Sequence, residues 1–171
     1  MAIEYVLEAT PVLDAAAMLD YFADLIGCDE RFDEPGDVPR AVRREVQLTT
    51  LETPSEDDPE EEPLLGELFG VDQTVTLTFR MNKFLTREED GAIFRDMLAA
   101  CAKFLEDHPG AKGIFSYQYD HIYLQRLDED GIVLSERLRD PDFNTDGVLD
   151  ELLATYPSRE LGMVDAFVSD D

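Results

Sequence analysis

Cations are scarce in this sequence. Among its 171 residues, 14 are Lys or Arg against 40 Asp or Glu, a formal net charge of −26. Binding to nucleic acid or to anionic lipid needs Lys and Arg to displace counterions from phosphates, so this balance excludes both nucleic acid and membrane as partners. Cysteine is nearly absent too. Cys28 and Cys101 stand without the close neighbours of a redox or zinc motif, which argues against a disulfide framework and suits a reducing cytoplasm. The two histidines, His108 in a Pro-Gly turn and His121 at a strand junction, would need chance convergence to share a metal, and surface roles are expected of them. Nothing approaches the roughly 20 apolar residues of a membrane span, and Met1 to Ala9 has neither the basic nor the apolar region of an export signal. A Gly-x-Ser-x-Gly elbow, a papain-like cysteine context and a glycine-rich phosphate loop are also missing. With 40 carboxylates, no acid–base pair can be singled out. No catalytic residue and no cofactor is therefore expected; the chain reads as a binding protein rather than an enzyme.

What is present is enough to fold. Hydrophobic residues make up 44% of the chain, which can fill the core of one domain over residues 1–171. The surface is then mostly carboxylate. Such a field draws in a cationic protein and speeds its docking, and it also serves plain solubility or adaptation to salt; composition does not separate these.

Ile3–Leu7 has strand composition, and Thr10-Pro11 supplies an N-cap and a first-turn proline for a helix that ends at Gly27. Its core stripe reads Leu13, Ala17, Tyr21 and Leu25, with Met18, Phe22 and Ile26 beside it. Residues 28–39 are polar loop, and 42–51 alternate well enough for one strand. Residues 52–63 hold seven acids and three prolines, a pattern for an extended, mobile loop. Thr76, Thr78 and Arg80 alternate with Val75, Leu77, Phe79 and Met81, the clearest strand in the chain. Thr86 and Glu89 form a capping-box pattern, and Ile93, Met97, Cys101 and Phe104 or Leu105 make the longest helical stripe. Strands follow at 114–119 and 122–127, then a hairpin turn at 128–131 into a strand at 132–135, a short helix near 148–155 and a polar tail. The expected class is α+β, with a mostly antiparallel sheet of about five or six strands, two main helices packed on one face and a short C-terminal helix.

Two motifs carry chemistry. Asp142, Asn144 and Asp146, with Gly147, match the first half of an EF-hand calcium loop, which suggests a calcium-responsive regulatory or structural domain as the alternative function. The twelfth position is Leu153 instead of a bidentate carboxylate, and Pro141 blocks an incoming helix, so an acidic turn capping the last helix is the plainer reading. The aromatic ladder Phe115, Tyr117, Tyr119 and Tyr123 fits core packing, with partner contact through any exposed tyrosine as its functional alternative.

The opening Ala2-Ile3-Glu4-Tyr5, the strand–helix block 76–105, and the strands Phe115–Tyr119, Ile122–Arg126 and Leu134–Arg137 give the chain a family likeness. It resembles the SitI-type immunity proteins of bacterial swarming-inhibition toxin systems. The resemblance implies a cytoplasmic antidote that binds a cognate protein toxin and blocks it by occlusion, with no chemistry of its own. The acidic field would suit a basic toxin such as a nuclease. The acidic stretch 52–63 and the segment 142–147 are the departures from the family pattern. Within the former, Glu56, Asp57, Asp58, Glu60, Glu61 and Glu62 are the candidate partner contacts.

Overall fold

In the computed structural model of the chain, which describes residues 3–127 and 131–164, the elements follow as β1 (Glu4–Ala9), α1 (Ala15–Ile26), β2 (Glu30–Phe32), β3 (Arg40–Arg43), β4 (Val46–Thr53), α2 (Gly66–Phe69), β5 (Thr74–Met81), α3 (Arg87–Asp107), β6 (Gly113–Tyr117), β7 (Ile122–Arg126), β8 (Val133–Ser135), α4 (Asp150–Thr155) and β9 (Ser158–Arg159). All nine strands join one sheet in the order β2-β3-β4-β5-β1-β6-β7-β8-β9. Only β8 and β9 pair in parallel. The class is α+β as expected, but the sheet is mixed and larger than five or six strands. The additions are β2, β3 and β9, two to four residues each, too short to show a period. They exist because a neighbour supplies the ladder. Residues 28–39, read as loop, contain β2 because β3 pairs with it from Glu30 to Phe32. The single strand read at 42–51 is the hairpin β3–β4, turning tightly at Arg44-Glu45, with Arg43 opposite Val46.

The first helix begins later than the Thr10-Pro11 signal. Thr10 is held to the neighbouring chain, its N–H donating to the Lys112 carbonyl (2.9 Å) and its Oγ1 accepting from the Lys112 N–H (3.0 Å). The chain is therefore free to coil only at Asp14, whose carboxylate caps the Ala17 N–H at 2.8 Å. The buried stripe of α1 is Met18, Leu19, Phe22, Ala23 and Ile26, turned about one position from the expected one, and Leu25 is 39% exposed. Gly27, at φ +80°, ends the helix as expected.

In α3 the capping box is formed in both directions: Thr86 Oγ1 accepts from the Glu89 N–H, and Glu89 Oε1 from the Thr86 N–H, each at 3.1 Å. Thr86→Ala is expected to lower stability by about 1 kcal/mol in urea unfolding; no change would mean that tertiary packing alone sets the helix start. Ile93, Met97, Cys101, Phe104 and Leu105 are fully buried against α1 and one face of the sheet, where Leu7, Leu77, Phe79 and Phe115 meet them. Both main helices thus cover the same face.

The other face is only half covered. Leu65 and Phe69, around α2, pack with Leu161 and Val164 over Ile114, Ile122 and Val133. Between β6 and β7 the chain turns through Gln118 (φ +49°) and Tyr119 (φ +62°), closed by the Asp120 N–H on the Tyr117 carbonyl at 2.7 Å. Two consecutive left-handed residues match the twist of a tight hairpin. The sequence-expected turn at 128–131 falls largely on residues 128–130 and the polar tail on 165–171, outside the described residues.

Candidate interaction face

Strand register decides which side chains face away from the helices. On β5 these are Thr74, Thr76, Thr78 and Arg80; on β4 they are Gln47, Thr49, Leu51 and Thr53; on β1 they are Glu4, Val6 and Glu8. Toward one end of the strands the α2 segment covers Thr74 and Glu8, which are 0% and 1% exposed. Beyond that cover, Thr49, Thr76 and Thr78 are half-buried and Leu51 and Arg80 exposed, so the middle of the sheet keeps an open side.

Glu8 sits at the margin between covered and open. Its Oε2 accepts from the Leu65 N–H (3.1 Å) and the Thr74 hydroxyl (2.8 Å), and its Oε1 from the Tyr119 hydroxyl (3.1 Å). A buried acid is tolerated where donors converge on it. Burial, and after it the charge of Glu8, push the Tyr119 hydroxyl well above the usual tyrosine range, so it stays a donor. Three distant parts of the chain are thereby fastened to one carboxyl group. Sequence reasoning missed Glu8, which falls just beyond the strand read at Ile3–Leu7 and within the longer β1.

This margin is grooved. A cavity of about 330 Å³ is lined by Glu8, Leu51, Thr53, Glu61, Glu62, Leu64, Thr76 and Tyr119. A wider one of about 620 Å³ is lined by Glu62, Pro63, Leu64 and the α2 residues Gly66 and Glu67, among others. All six acids singled out from the sequence, Glu56, Asp57, Asp58, Glu60, Glu61 and Glu62, are exposed, and among the described residues none makes a hydrogen bond or ion pair through its carboxylate. Glu61 and Glu62 wall the grooves; the other four run on from them in the connection between β4 and α2.

Charge is divided along the strands. No Lys or Arg occurs from residue 45 to residue 79. The arginines cluster at the opposite end of β4 and β5, roughly 23 Å away at 3.3 Å per residue, and most are engaged within the protein. Arg43 pairs with Asp96 (3.2 Å), Arg31 with Asp20 (2.7 Å), and Arg44 with Glu45 and Glu89. Among the described residues, none of the six acids between β4 and α2 has such an ion pair.

The remaining candidates lie elsewhere. Asn144 is engaged locally, its Nδ2 donating to Asp150 (2.7 Å) and its Oδ1 accepting from the Leu149 N–H (2.7 Å), while Asp142 and Asp146 are exposed. Asp146 adopts φ +53° within a short 3-10 turn leading to α4. No group of three or more His, Cys, Asp or Glu among the described residues is placed to hold a metal ion. His108 closes α3, its Nδ1 donating to the Phe104 carbonyl (2.8 Å), and His121 faces Arg137. Cys101 is fully buried, which pushes its thiol up. Of the aromatic ladder, Phe115 and Tyr123 are core, whereas Tyr117 and Tyr119 keep partial exposure. Among the described residues no helix is long and apolar enough to cross a membrane.

A family model described as SitI3-like matches residues 3–143. That stretch contains Glu8, Tyr119 and all six acids, and it stops short of Asn144 and Asp146. No curated protein and no solved structure matches the chain.

Proposed function

The chain belongs to the SitI3-like family, and from that premise we propose that it is an immunity protein which binds a cognate toxin in the cytoplasm and neutralises it by occlusion. The observation that carries the reading is the run of exposed acids, unpaired within the described protein, beside the open side of the sheet. Carboxylates without internal cations lose nothing intramolecular when a partner's cations approach, and their summed field speeds the encounter. A basic toxin, for example a nuclease, has the complementary charge. Occlusion asks no chemistry of the antidote, only a surface that covers the toxin's working site.

The test is co-expression with each toxin-like protein encoded beside this chain, scored by cell survival and copurification. Protection accompanied by a stable complex is the expected result. Absence of both protection and complex across that set would remove the immunity reading.

A further inference from the structure

We propose that the loop joining β5 to α3 is a docking plug: Phe84 enters an apolar pocket of the partner toxin whose rim carries carboxylates. The inference deepens the immunity reading and rests on it for the identity of the partner.

Phe84 is 89% exposed, whereas Val38, the next most exposed large apolar side chain among the described residues, is 63% exposed. A single apolar residue on a surface is ordinary, but a loop free to move would lay such a ring back on the protein. This loop is not free. The Met81 N–H donates to the Ile3 carbonyl (2.9 Å) and the Asn82 N–H to the Glu45 carbonyl (3.0 Å). The Asn82 side chain ties the turn in both directions, its Nδ2 donating to the Arg44 carbonyl and its Oδ1 accepting from the Phe84 N–H, each at 2.9 Å. Leu85 takes the place against the core, and Thr86 caps α3 immediately after it. The ring is thus held out in water before any partner arrives, so docking costs little further ordering of the loop. Aromatic side chains of this kind are enriched at the centres of protein interfaces.

Charge decides what the plug fits. Residues 80–87 contain Arg80, Lys83 and Arg87 and no acid, in a chain with 40 acids against 14 cations. All three cations are exposed, and none makes an ion pair among the described residues. Glu45 and Glu89 are engaged by Arg44. Glu4 lies opposite Arg80 in the ladder, and Glu88 and Asp90 occupy the first turn of α3, where they answer the positive end of the helix dipole. Beside the loop, a groove of about 220 Å³ is lined by Arg43, Arg44 and Arg80 with the amide side chains of Gln47 and Asn82, and by no carboxylate. An exposed ring next to such a groove is complementary to an apolar pocket with carboxylates at its edge. An anionic membrane also offers apolar depth under negative charge, but a net charge of −26 repels that surface. The acids at the far end of β4 and β5 then govern the encounter, and this end governs the fit.

The test places the photoreactive residue p-benzoylphenylalanine at position 84 of the full-length chain, or at the exposed control position 24 on α1, and co-expresses it with each toxin-like protein encoded beside the chain. The neutralised toxin is expected to crosslink from position 84 and not from position 24, with the adduct in a toxin segment that bears apolar residues and Asp or Glu. Phe84→Ala should weaken the complex by about thirtyfold and Arg80→Gln/Lys83→Gln by about tenfold. Urea unfolding of Phe84→Ala should match wild type, because the ring is already in water. A neutralised toxin that crosslinks only from position 24, or whose affinity is unaltered by Phe84→Ala, overturns the plug and leaves the immunity reading. Phe84-dependent sedimentation with phosphatidylglycerol vesicles, at unaltered toxin affinity, overturns it in favour of a membrane contact. Failure of the wild-type chain to protect against any neighbouring toxin removes the immunity reading and the plug with it.

Discussion

Replacing Glu8 with alanine is expected to destabilise the fold by about 3 kcal/mol, whereas Glu8→Gln should lose only about 1 kcal/mol. Alanine leaves the Leu65 N–H and the Thr74 hydroxyl without their acceptor beneath α2, and it opens a void where the carboxyl group stood. Each unsatisfied buried donor is worth roughly 1–3 kcal/mol. Glutamine keeps one carbonyl oxygen for those two donors and turns its amide toward the Tyr119 oxygen, which can accept once its own hydrogen rotates away. The measurement is urea unfolding of the three proteins, joined to hydrogen exchange at the Leu65 amide. Exchange there should accelerate in the alanine variant more than at buried positions of α3. Equal stability of Glu8→Ala and wild type would mean that Glu8 does not fasten α2 to the sheet.

The same residue shows where sequence reading stops. Thr74–Met81 and the Thr86/Glu89 cap were legible because their signals are local: alternation on one strand, and two side chains a single turn apart. Glu8 lies just past the strand read at Ile3–Leu7, and no local signal marks it as buried. Its burial is decided by Leu65 and Tyr119, 57 and 111 residues along the chain. The Gln118-Tyr119 turn carries no Gly or Asn to announce two left-handed residues, so the bend between β6 and β7 could be read as one long strand. The strands β2 and β9 depend on partners in the same way. Thr10-Pro11 gave a valid helix-start signal that tertiary pairing with Lys112 overrode. For the candidate site, the acids were legible as composition. Their position beside the open half of the sheet was not, because it follows from which face the two main helices cover.

Neutralising the six acids together, as Glu→Gln and Asp→Asn at Glu56, Asp57, Asp58, Glu60, Glu61 and Glu62, is expected to slow association with the proposed toxin partner by about tenfold to a hundredfold at low salt. Stability should not fall, because none of the six carboxylates has an internal partner among the described residues to lose. A reduced rate would then report the encounter, not unfolding. The effect should shrink as salt is raised, since the screening length drops from about 10 Å at 0.1 M to about 3 Å at 1 M. Composition left steering and plain solubility as equal explanations of the charge, and a second variant of the same net charge separates them. Asp24, Asp33, Glu34, Asp37, Glu136 and Glu151 are also exposed and lie outside the acidic connection between β4 and α2, so their neutralisation removes as much charge from other places. If the field is focused at the β4–α2 end, the first variant associates slowly and the second nearly as fast as wild type, in stopped-flow mixing at two salt concentrations. Equal slowing of both would place the effect in total charge, and the acidic run would then be solubilising surface and not the docking end.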